Sequence, residues 1–115
     1  MIRDGLRESL KALDLNLLVT KDSYASPTVT SFIPHDKDEL TYIKSTLKSR
    51  FNITIAGGQG KLKGTILRIG HMGKVSPFDI LSVVSALEII LTDYRKVNYI
   101  GKATLKFTEV IQHDA

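Results

Sequence analysis

The sequence predicts an α+β domain, a small antiparallel sheet with helices packed on it. Three observations predict it. Apolar residues recur at helical spacing near the start, the middle and the end of the chain; β-branched, strand-like runs lie between these stretches; and the 115 residues contain neither a repeat nor a low-complexity linker. Residues 1–115 therefore read as a single domain, with a leading helical segment over 1–16 and the sheet and remaining helices over 17–115.

Leu6, Leu10, Leu13 and Leu17 share one helical stripe, so residues 3–14 read as a helix with Arg3, Arg7, Glu8 and Lys11 mostly outside. NLLVT follows as a short strand. KDSYASP reads as a loop whose Pro27 directs the chain into the extended run TVTSFI. Asp36, with Glu39 three residues on, forms a capping-box pattern ahead of Leu40, Ile43, Leu47 and Phe51, which predicts a helix over 37–50. NITIA and GTILRI read as strands flanking a glycine-rich segment, and Ser76-Pro77-Phe78-Asp79 opens a helix over 76–91. That helix is apolar nearly all round and predicts burial on more than one side. ATLKFTEV alternates like a strand, yet Ile100, Ala103, Phe107, Val110 and Ile111 fit a helix, which is the preferred reading.

With no cysteine, the chain has no disulfide framework, thiolate nucleophile or cysteine zinc site, and His35, His71 and His113 are far apart in sequence, so no metal is expected. The charged start does not fit a signal peptide, and Ser82, Ser85 and Glu88 interrupt the longest apolar stretch, which predicts a cytoplasmic protein. No serine–histidine–acid arrangement or carboxylate pair supports hydrolytic chemistry. The net charge of +4 is mild but unevenly placed. Nothing acidic occurs between Glu39 and Asp79, whereas Lys44, Lys48, Arg50, Lys61, Lys63, Arg68 and Lys74 all do. Such a block is either a solvated basic face or a site for an anion.

Within the block, IAGGQGKLKGTILRIGHMG concentrates most of the glycines. It fails as a Walker loop, because Lys61 precedes Leu62 and not Ser or Thr, and as a dinucleotide fingerprint, because the third glycine comes one residue late. Gly57 to Gly60 matches the bare G-x-x-G of a KH domain, but a KH loop joins two helices and this one joins two predicted strands. What remains is a tight β-loop-β connection. On its second strand, Leu67 and Ile69 share one face and Arg68 emerges from the other. Arg68 then either pairs with a protein carboxylate or awaits the carboxylate of a ligand.

The runs YASPTVT (24–30), IAGGQGKLKG (55–64) and LRIGHMG (67–73) resemble the C-terminal small domain of class V pyridoxal-phosphate aminotransferases, in the alanine–glyoxylate and serine–glyoxylate (serine–pyruvate) group, some of which are labelled soluble hydrogenase subunits. The resemblance implies the small-domain fold of fold-type I pyridoxal-phosphate enzymes. It implies that Arg68 grips the carboxylate of a small amino-acid or keto-acid substrate, that Gly70 and Gly73 let the backbone bend away from it, and that His71 and Met72 pack. It also implies that pyridoxal phosphate, its lysine and its pyridine-pairing aspartate belong to a large domain, so that this chain holds no cofactor, is not catalytic alone, and reads as an excised domain or a shortened gene product.

The implied partners are that large domain, a partner subunit and the substrate, with no membrane. Alone, the all-round apolar helix and the leucine stripe are expected to make the chain self-associate or expose an apolar patch. Two alternatives use the same cations. One is a free-standing module for a small carboxylate or phosphate; the other is a nucleic-acid-binding domain, although only Tyr42 and Phe51 border the block for stacking on bases.

Overall fold

The computed structural model describes residues 2–21, 26, 28–71 and 75–114. The first helix, α1, spans Ile2–Ala12, and Leu6, Leu10 and Leu13 are fully buried. The leucine stripe therefore needs no outside partner, contrary to the expectation that it would contribute to stickiness. It is covered by the last helix, α4 (Lys102–Asp114), whose Ala103 and Phe107 join the same core. Arg7 also departs from its expected outward position. It is buried, and its Nη2 donates to the Val19 carbonyl at 2.7 Å, so the long side chain folds back over the segment after α1.

Strand β1 is only Asn16–Leu17, shorter than NLLVT. Its register places Asn16 opposite Ile33 and Leu17 opposite Phe32 on β2 (Val29–Ile33). Pro27 and the adjoining residues 22–25 lie outside the described residues, as do Met72, Gly73 and Lys74. Helix α2 spans Lys37–Phe51, and Asp36 caps it by accepting from the Glu39 amide at 2.8 Å. The reciprocal bond of a capping box is absent, because Glu39 turns away from Asp36: its Oε1 accepts from the His35 amide at 3.1 Å.

Asn52 ends α2 in the left-handed region, with φ 54° and its amide returned to Leu47 and Lys48. Leaving the helix in this way uses residues that sequence alternation assigns to a strand, so β3 is reduced from NITIA to Ala56–Gly57. Strand β4, Leu67–Gly70, completes an antiparallel sheet in the order β1-β2-β4-β3. Thr30, Phe32, Leu67 and Ile69 face the core, while Ser31 and Arg68 sit opposite each other on the other face.

Helix α3, Pro77–Arg95, opens with the full capping box of Ser76 and Asp79 and runs a turn beyond the expected end. Ile80, Val84, Leu87, Ile90 and Leu91 are buried, and the helix packs on α2, α4 and α1, as its all-round apolar character predicts. Glu88 is buried as well, and its carboxylate accepts from the Gly101 and Thr104 amides at 3.1 and 2.7 Å. It thereby supplies α4 with acceptors for otherwise orphaned first-turn amides. Among the described residues no helix is long and apolar enough to cross a membrane.

Candidate functional site

Arg68 occupies the middle of β4, between Ser31 of β2 and Ala56 of β3. Leu67 and Ile69 bury themselves on the helix side, so the strand's alternation drives the guanidinium to the opposite face. Its Nε donates to the Gly57 carbonyl at 2.8 Å. That bond holds the side chain while Nη1 and Nη2 form no hydrogen bond to any described residue. No described carboxylate forms an ion pair with Arg68 either.

Arg68 is one of the residues lining a cleft of about 360 Å³, together with Ile53, Ala56, Gly70, Asp79 and Val83. Asp79 shares the cleft, but its Oδ2 is engaged by the Ser76 amide at 2.9 Å in the cap of α3. Of the two readings left open by the sequence, pairing with a protein carboxylate is not seen among the described residues. Beyond β4, His71 is buried and its Nε2 lies 2.8 Å from the Thr30 hydroxyl, a packed imidazole linking β4 to β2.

The glycine-rich connection is compact. A single 3₁₀ turn, Gly60–Leu62, lies between β3 and β4. A Cβ on Gly58 would fall 2.4 Å from the Leu62 carbonyl oxygen, and Gly64 sits at φ 77°, so both positions require glycine. This connection and α2 enclose a larger groove of about 710 Å³ lined in part by Lys44, Lys48 and Lys63.

One site feature escaped the sequence. Glu39 and Arg95, 56 residues apart, form a buried ion pair with contacts of 2.6 and 2.8 Å, and Arg95 also donates to the Leu13 carbonyl and the Tyr99 hydroxyl. Burial by itself raises the Glu39 carboxyl, but bonds from Arg95 and the His35 amide outweigh it and hold the group below the usual carboxylate value. Burial likewise opposes the charge on Arg95, and Glu39 and Tyr99 reverse that effect.

No protein-family profile matches the chain. Individual proteins do. The chain is 47% identical over 98 residues to the small subunit of a soluble hydrogenase from Synechococcus and 39% identical over 97 residues to the 42 kDa soluble hydrogenase subunit of Anabaena cylindrica. These matches cover 85% and 84% of the chain but only 25% of each relative, so the chain spans about a quarter of their length. Its fold superposes on the crystal structure of pyridoxamine–pyruvate aminotransferase from Mesorhizobium loti with a TM-score of 0.89 at 27% identity, covering 99% of this chain and 29% of that one. A second match, ureidoglycine–glyoxylate aminotransferase from Bacillus subtilis, has a TM-score of 0.78 at 31% identity, covering 94% of this chain and 28% of the other.

Fold and relatives together match a domain of aminotransferases. The homologues of this chain are class V aminotransferases and soluble hydrogenase subunits, and the chain corresponds to their C-terminal small domain. The related aminotransferases are pyridoxal-phosphate enzymes. The lysine groove of this chain does not fit that cofactor, because among the described residues no carboxylate lines it to pair with a pyridine nitrogen.

Proposed function

We propose that this chain is the substrate-side domain of a pyridoxal-phosphate aminotransferase acting on small amino acids and keto acids of the alanine, serine, glyoxylate and pyruvate type, with Arg68 binding the substrate carboxylate. The observation that carries the reading is the state of Arg68: Nε is fixed by the Gly57 carbonyl, Nη1 and Nη2 meet no hydrogen-bond partner among the described residues, and the residue lines a cleft. A carboxylate can take two parallel hydrogen bonds from that end, which fixes both the position and the plane of a small acid. Lysine in the same place would present a point charge without the planar fork. Orienting the substrate is the contribution such a residue makes to a reaction whose chemistry a cofactor supplies.

The cofactor, its lysine and its acidic partner belong, on this reading, to a large domain. Phe78, Ile100 and Leu105 are exposed, and they support a surface covered by that domain or by a partner subunit. Two experiments test the reading. The purified chain is mixed with pyridoxal phosphate and treated with borohydride, alongside an alanine–glyoxylate transamination assay; no stoichiometric adduct and no turnover are expected, whereas one modified lysine with turnover overturns the division of labour. Light scattering and an apolar dye are expected to report self-association or dye binding, and a monodisperse monomer that binds no dye contradicts the partner-facing surface.

A further inference from the structure

The cationic block places a second feature beside the glycine-rich connection. Lys44 and Lys48 stand one turn apart on α2, and Lys63 approaches from the loop before β4, all lining the groove of about 710 Å³. Among the described residues no carboxylate lines this groove. Lys48 donates to the Asn52 side-chain oxygen at 3.3 Å, a neutral acceptor, and among the described residues none of these lysines forms an ion pair. Like charges at this helical spacing repel. The floor is apolar, formed by Leu40, Ile55 and Ile66.

We infer that this groove binds a small phosphate ester, with the phosphates among Lys44, Lys48 and Lys63 and an apolar body on Leu40, Ile55 and Ile66. Charge selects phosphate over carboxylate: a terminal phosphate carries about −1.5 to −2 charges at neutral pH, against one for a carboxylate, and suits a trio of cations better. The volume lies within the range of small-molecule sites, and an apolar lining with a few converging charges is their usual composition. Among the described residues no aromatic ring lines the groove, which disfavours a nucleic-acid strand held by stacked bases. Close packing also fixes its wall, since a Cβ on Gly58 would come within 2.8 Å of Ile66 Cγ1 as well as meeting Leu62.

Arg68 is not one of the residues lining this groove, although Thr54 and Ile55 line both clefts, and the inference stands whether or not Arg68 binds a substrate.

Calorimetric titration of the full chain with ADP, pyrophosphate and adenosine at low salt tests it. ADP is expected to occupy one site more tightly than either pyrophosphate or adenosine. The variant K44Q/K48Q/K63Q is expected to bind ADP at least about tenfold more weakly, as loss of charge-assisted bonds predicts. Ser45→Trp, which fills the groove without changing charge, is expected to do the same. A control removing Lys37, Lys102 and Lys106, also as glutamines, is expected to leave binding unchanged. Equal weakening by the lysine control, unchanged binding to Ser45→Trp, pyrophosphate or adenosine matching ADP, or a single-stranded oligonucleotide displacing ADP at lower concentration overturns the inference.

Discussion

Arg95 and Arg68 both lie beside the core, but their surroundings are opposites. Arg95 spends its guanidinium on a buried carboxylate, a carbonyl and a phenol, joining the C-terminal end of α3 to α2 and to the segment after α1. Among the described residues Arg68 makes one side-chain hydrogen bond, to a backbone carbonyl next to it in the sheet, and it lines a cleft. The first arrangement answers every demand of a desolvated charge from within the fold. The second leaves hydrogen-bonding capacity that folding does not use, which is what a binding group requires.

The largest effect separating the two is on stability. Glu39→Gln leaves the buried Arg95 without its counter-charge and is expected to cost about 3–5 kcal/mol in urea unfolding. If Glu39→Gln is nearly neutral, Arg95 is not the structural member of the comparison. Acid should act on the same pair. Because Glu39 is held below its ordinary value of 4.5, its contribution is complete above that pH and is lost as pH falls through the lower value it has in the folded state. Unfolding midpoints measured down the acid limb should therefore fall more steeply for the wild type than for Glu39→Gln.

Arg68→Gln gives the smallest stability change. It removes one bond from a partly exposed group and is expected to cost about 1 kcal/mol or less. A loss as large as that of Glu39→Gln would make Arg68 a structural residue and break the comparison.

Local patterns made much of this fold legible. The Ser76-Pro77-Asp79 start of α3, the spacing of Leu6, Leu10 and Leu13, and the alternation around Arg68 each depend on neighbours along the chain, and each is realised. What escaped depends on distant residues or on how an element ends. Asn52 takes a left-handed conformation to close α2, which cuts β3 to Ala56–Gly57 although Ile53 and Ile55 look strand-like. Glu39 reads as half of a capping box because its true partner is on another helix. The leucine stripe of α1 reads as incompletely covered because no local pattern shows Phe107 returning to meet it. At the site, alternation predicted which face Arg68 occupies, but only the folded structure shows that no described carboxylate meets it there.

The most direct test joins this chain to the large domain of the M. loti pyridoxamine–pyruvate aminotransferase, replacing the region on which it superposes with a TM-score of 0.89. The measurement is kcat/KM for pyruvate at matched cofactor content, with Arg68 intact and with Arg68→Lys and Arg68→Gln. The account predicts turnover with arginine and a loss of about 10- to 100-fold in either variant, the equivalent of the charge-assisted bonds removed, with cofactor binding unchanged. An active hybrid whose Arg68→Gln form retains full kcat/KM would show that the carboxylate is held elsewhere and contradict the role assigned to Arg68.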